Sequence, residues 1–395
     1  MITFILLIVI YLAFISLGLP DALLGVSWPL IRADWALNLD AVGIISIVAT
    51  FGTISSSLLS GKLIRHFGEG RITFFSGLLT GIALLGYAYA PSYLWLIVLA
   101  LPLGFGAGSV DTALNHYVSL HFKAHHMNWL HSFWGIGATA GPIIMSNILL
   151  RTHSWRSGYT TIAMIQLSLT TVIFLSLPLW KRQASINAQA TENDISDEED
   201  MRPQVTGFKI IRVRGVPYAL LVFIFYCAAE YAMGLWGSSY LVQVRGITFE
   251  VAANWVALYY GGITLGRILS GFISFKLNNK QLILSGICMA LFGSILLLLN
   301  FNNFTVMLSF ALIGLGFAPI FPSMIHETPR RFGKHLSQSI IGFQMASAYI
   351  GVALLPPLLG VVIRQTQMIA FPFFVVLCIA ILLYLTTTLN RIRQS

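Results

Sequence analysis

The sequence predicts an all-α integral membrane protein: twelve transmembrane helices in two pseudo-symmetric bundles of six. Three observations point there. The chain of 395 residues is 57% hydrophobic and 9% charged, a balance that soluble globular domains do not reach. Apolar runs of roughly 20 residues, the length that crosses a hydrocarbon core, recur from one end to the other. The chain also resembles itself at a fixed offset: Gly61 aligns with Gly271, Gly104 and Gly106 with Gly314 and Gly316, Phe133 with Phe343, and Gly141 with Gly351. A repeat of that length pairs the first six runs with the last six.

The first run, 4–30, has no basic segment ahead of it and continues past Asp21, so it reads as a helix and not as a cleaved leader. Inside it Pro20 removes one backbone donor and opens the helix just before Asp21. Runs 41–62 and 72–90 follow. The fourth, 94–119, contains LGFGAGSVDTALNHYV, residues 103–118, where Asp111 interrupts an otherwise apolar stretch. An ionisable group at that depth is expensive and is kept mainly where it faces a pathway. Asn115 shares its helical face one turn on, while Ala107 and Gly104 extend that face backwards and let a second helix come close. The result is a narrow polar slot.

Runs 129–150 and 158–180 complete a first bundle, 1–180. Residues 181–215 are polar and include TENDISDEED, a composition that cannot bury a core, so they read as a cytoplasmic linker. The second bundle, 216–395, holds runs 216–243, 251–275, 281–300, 304–325, 338–362 and 368–389. Most of the 23 lysines and arginines fall in the segments that share a side with the N-terminus, which puts both termini in the cytoplasm and the chain in the cell membrane. The same asymmetry accounts for the net charge of +9 without nucleic acid, since positive loops meet an anionic inner leaflet. Cys227, Cys288 and Cys378 each sit in an apolar run and suggest no disulfide framework.

In the second bundle Glu230 occupies the seventh run, with Tyr226 and Gly234 one turn to either side on its face. At an offset of 209 it aligns with Asp21, so each bundle carries an acid in its first helix. Arg267 is the one lysine or arginine deep in a span, and it either neutralises an acid or seals an inner gate. His131, Asn254 and Gln344 are polar residues inside runs five, eight and eleven. With Trp134, Trp28 and Trp236 they suit a sugar, whose hydroxyls need polar groups and whose C–H faces pack on rings. His121 and His125 have the spacing of a metal pair, but no third ligand joins them, so no metal and no cofactor is expected. No phosphate-binding or serine-nucleophile motif occurs, which leaves a transporter without ATP hydrolysis rather than an enzyme.

These residues resemble a known family. GKLIRHFGEGR, residues 61–71, is similar to the signature loop of the major facilitator superfamily, Gly-x-Leu-x-Asp-Arg-x-Gly-x-x-Arg, with Arg65 in place of the aspartate and His66 in place of the arginine. Gly106, Gly108, Asp111, Thr112 and Asn115 resemble the fourth-helix pattern of the fucose/galactose/glucose:proton symporters, with Asp for Glu. Asn128, Phe133 and Gly137 match the fifth-helix pattern, where His131 replaces a glutamine and Trp134 an asparagine. The resemblance implies proton coupling and sugar recognition by the acids of helices one and four.

The expectation is thus proton-coupled symport of a small polar solute such as a monosaccharide, by alternating access in a monomer. Asp21, Asp111 and Glu230 would couple protons. Asp21, Asp111, Asn115, His131, Trp134, Tyr226, Asn254 and Gln344 would bind solute, and Arg267 would gate. The alternative is proton-coupled efflux of sugars or amphipathic drugs. A membrane scaffold without transport has no reason to tolerate three acids inside its spans.

Overall fold

Within a bilayer every backbone N–H and C=O has to be satisfied inside its own segment, which a helix does and an irregular segment does not. The computed structural model describes residues 2–122, 124–191, 207–274, 276–299 and 301–392, without the side chains of Arg65, His121, His125 and some neighbours at the helix ends. Every regular element in these residues is helical. Twelve stretches are long and apolar enough to span a membrane.

In chain order, α1 (Ile2–Gly18) and α2 (Leu23–Asp34) share the first span. They are followed by α3 (Val42–Phe67), α4 (Glu69–Ala88), α5 (Tyr93–His121), α6 (Ala124–Thr152) and α7 (Trp155–Thr191). The second half comprises α8 (Val216–Arg245), α9 (Phe249–Ile273), α10 (Asn279–Leu299), the pair α11 (Asn303–Phe317) and α12 (Ile320–Phe332), then α13 (Lys334–Thr366) and α14 (Ala370–Arg391). The break between α1 and α2 falls at Pro20, where the sequence led one to expect it. A second break, between α11 and α12 at Ala318 and Pro319, has the same cause: proline lacks the donor that would continue the ladder. The tenth span therefore runs to Phe332 rather than 325, and α7 continues to Thr191 beyond the expected linker boundary at 180. The acidic run of that linker lies outside the described residues.

The two halves repeat each other's packing. In the first, α5 packs on α3 and α4, α6 on α1, and α7 on α4; in the second, α11 packs on α9 and α10, α13 on α8, and α14 on α10. The equivalence reaches single contacts. Gly104 abuts the Ala49 backbone and Gly314 abuts the Tyr259 backbone, so that a side chain at either glycine would collide with main chain. Both partners are displaced by the same 210 positions, 314 less 104 and 259 less 49. The glycine offset in the sequence thus records two copies of one helix-to-helix seam.

The halves meet through α2 on α8, α3 on α13 and α6 on α9. The Ser238 hydroxyl donates to the Val26 carbonyl at 3.3 Å, the Ser146 hydroxyl to the Glu250 carbonyl at 2.9 Å, and Arg364 pairs with Asp40 at 3.7 Å. These contacts lie toward the end of the bundle opposite both chain termini. Bonds of this kind continue inward from that end to the depth of Arg267 and Ser57.

Candidate functional site

The break at Pro20 turns the chain so that Asp21 sits mid-span rather than on a continuous helix face. Gly18, just before it, lies against the Trp134 carbonyl and lets α1 approach α6 at backbone distance. That approach places the Trp134 indole N–H 2.6 Å from an Asp21 carboxylate oxygen. Asp21 is solvent-exposed although it lies among helices.

The other face of Trp134 carries a cation. The Arg267 guanidinium stands 5.1 Å from the centre of the indole ring and donates to the His131 carbonyl at 3.5 Å. On its far side it pairs with Glu230 at 3.7 Å, with only 11% of the arginine side chain and 17% of the glutamate side chain exposed. The Tyr226 hydroxyl lies between the Glu230 carboxylate and the Phe317 carbonyl, 3.3 Å from the latter, and can donate to one of them at a time. The Tyr259 hydroxyl donates to the Glu230 carbonyl at 3.1 Å. A chain of contacts thus runs from Asp21 in the first half through Trp134 and Arg267 to Glu230 in the second.

Asp111 is held from within α5, where the Asn115 amide donates to its carboxylate at 2.8 Å and to its carbonyl at 2.9 Å. The neighbouring seam with α3 is polar: Thr53 and Ser57 donate to the carbonyls of Gly104 and Gly108 at 3.1 and 3.3 Å. From the second half, the Tyr349 hydroxyl reaches Ser57 and faces Asp111. Two carboxylates of one half and the ion pair of the other therefore face a common interior with no further lysine or arginine among the described residues there.

The profile of the Major Facilitator Superfamily matches residues 10–356, most of the chain. The chain belongs to this superfamily. It is 24% identical over 365 residues to the glucose/mannose transporter GlcP of Bacillus subtilis, covering 90% of this chain and 87% of that protein. It is also 24% identical over 365 residues to the cis,cis-muconate transport protein of Acinetobacter baylyi, covering 89% and 85%. Among solved structures, the D-xylose-proton symporter superposes with a TM-score of 0.71 at 15% identity over 97% of each chain. A bacterial homolog of the human lysosomal transporter Spinster, in an inward-facing and unoccupied conformation, gives 0.71 at 13% identity over 98% of each. The fold is that of the superfamily, and the protein is a multi-pass secondary transporter, not an enzyme.

Of the residues singled out in the sequence, this transporter brings Asp21, Asp111, Asn115, His131, Trp134, Tyr226, Glu230 and Arg267 to one region. His131 meets Arg267 through its carbonyl, while its ring packs edge-on to Phe14 at 5.6 Å. Two expected binding residues lie elsewhere. Gln344 is buried in the second half, where its side-chain oxygen accepts from Thr328 at 3.1 Å beside Glu327, Arg331 and Thr386. Asn254 is exposed on α9, thirteen residues before Arg267 and so roughly 20 Å away along the axis. Trp28 and Trp236 are also removed from the site, since their indole N–H groups donate to the carbonyls of Leu39 and Pro356 inside the packed helices.

Sequence reasoning missed Tyr231, Tyr259 and Tyr260. Ser46 of α3 donates to the Tyr231 hydroxyl at 3.1 Å, and the Tyr260 ring stands edge-on to Trp134 at 6.2 Å. The tyrosine pair at 259 and 260 was a visible signal, because two phenols inside a span need partners and those partners lie between helices.

Proposed function

We propose that this transporter is a proton-coupled symporter of a small polar solute such as a monosaccharide, working by alternating access between the halves 1–180 and 216–395. The supporting observation is the mid-span chain of Asp21, Trp134, Arg267 and Glu230, which crosses from one half to the other at the depth a solute must pass. Asp21 and Asp111 lack a cationic partner among the described residues, so each is suited to take up and release a proton. Glu230 has Arg267, and a proton arriving there would free that arginine. Asn115 and His131, with the uncovered parts of Trp134, offer the mixture of polar groups and ring faces that a sugar engages, while Tyr226 is fully buried and would act on a solute only through Glu230. The end bearing the termini is cytoplasmic by its basic loops, and Arg267 acts where the halves part toward that side.

Proton-coupled efflux of an amphipathic solute is the second reading, favoured by the rings around Asp21, of which Trp134 and Tyr231 keep uncovered surface while Tyr226, Tyr259 and Tyr260 are buried. Purified protein in liposomes with an imposed pH gradient separates the two. A panel of labelled hexoses should accumulate in the more alkaline compartment and lose that accumulation when a protonophore collapses the gradient. Movement of amphipathic cations against the proton flux, with no hexose accumulated, would replace the first reading by the second. Hexose uptake that equilibrates and ignores the gradient would remove proton coupling.

A further inference from the structure

We infer that Trp134 is the positioning residue through which the charge of Asp21 sets the grip between the two halves. The inference rests on the proton-coupled reading above. Trp134 belongs to α6 of the first half, and both of its functional surfaces are occupied. Its N–H donates to Asp21 at 2.6 Å, and its ring face lies 5.1 Å from the Arg267 guanidinium of α9. Arg267 is otherwise held loosely, at 3.5 Å from the His131 carbonyl and 3.7 Å from Glu230, and its Nε is buried without a partner. The indole is therefore the best-placed of the three contacts that keep the guanidinium where it joins the halves.

A hydrogen bond to an ionised carboxylate is about twice as strong as one between neutral groups. A proton on Asp21 weakens the bond that orients the indole. The ring can then turn, and Arg267 loses the face it rests on. Other charged and titratable groups face Asp21 from every side: Asp111 of α5, Glu230 and Tyr231 of α8, and Tyr260 of α9. None of these combines a donor to Asp21 with a surface for Arg267. A phenylalanine at 134 would keep a ring and remove the donor, so the two functions of this side chain can be separated.

The test needs no solute. Spin labels at Phe67→Cys and Lys276→Cys report the separation of the halves at the end bearing the termini, in full-length protein with Cys288→Ser, reconstituted in nanodiscs. In the parent protein, lowering the pH should shift the distance distribution toward shorter separations, because neutral Asp21 releases the contacts of the arrangement described here. Asp21→Asn should show the short distribution at every pH. Trp134→Phe should lose the pH response, whereas Trp134→Leu controls for loss of the ring. A Trp134→Phe protein that responds to pH like its parent overturns the role of Trp134 while leaving proton coupling intact. A parent protein with no pH response overturns both the coupling and this inference.

Discussion

Glu230→Gln keeps the size of the side chain and removes the charge that faces Arg267. Both members of the pair are largely buried, at 17% and 11% side-chain exposure, so solvent cannot replace the lost partner. Stranding one charge of a buried pair costs about 3–5 kcal/mol. Here the lower end applies, because the 3.7 Å separation is long and the Trp134 ring remains, a contact worth roughly 1 kcal/mol. A loss near 3 kcal/mol is roughly a hundredfold change in the unfolding equilibrium. The measurement is a double-mutant cycle in detergent, comparing Glu230→Gln, Arg267→Met and the double variant. The double variant should recover most of the stability, since neither charge is then left alone. Single variants within about 0.5 kcal/mol of the parent, the range of unremarkable surface changes, would refute the pairing as a contributor to the fold.

Asp111→Asn mimics a permanently protonated carboxyl while preserving the bond partner of Asn115, so solute exchange between equal compartments should persist and accumulation against a gradient should vanish. Intact accumulation with weakened binding would instead make Asp111 a recognition residue. Gln344→Ala should lower stability by about 1 kcal/mol, because a buried side-chain bond is lost while the Thr328 hydroxyl keeps the Met324 carbonyl as acceptor, yet leave the KM for solute unchanged; Asn254→Ala should alter neither. Arg364→Ala should shift the conformational balance only slightly, because that arginine side chain is 63% exposed and such pairs are worth less than about 1 kcal/mol. Labelling of a cysteine placed at Asn38, beside the pair and exposed, would reveal a larger opening and contradict that weighting.

Much of the fold was legible because the bilayer demands it. Twelve apolar runs had to be helices, Pro20 had to interrupt the first of them, and Gly104 had to mark a close approach. Asp111 and Asn115 were also legible, since one turn of a helix brings them together whatever surrounds them. Across helices the sequence was silent. Spacing assigns a residue to a face but does not say which helix that face meets, so Gln344, chosen for being polar and mid-span, turned out to satisfy Thr328 inside one half. Arg267 had no nameable partner for the same reason. Glu327 was overlooked because its run was ended too early. It is buried, bonded by Asn279 at 3.3 Å and paired with Lys280 at 3.9 Å, because α12 continues past residue 325 as a helix. The proline that starts α12 was present in the sequence and carried the same message as Pro20.

The paired seams have a mechanical consequence. Where Gly104 meets Ala49 and Gly314 meets Tyr259, main chain touches main chain, and no flexible side chain lies between to absorb a slip. Each half is thereby stiffened along equivalent lines, and the largest bends are left to the two places where a span is divided into two helices. One of these, at Pro20, frees α2 toward the joined end; the other, at Pro319, frees α12 toward the end bearing the termini. The molecule thus has a separate compliant flap for each face of the membrane, each rooted in a rigid wedge, so that one exit can yield without loosening the other.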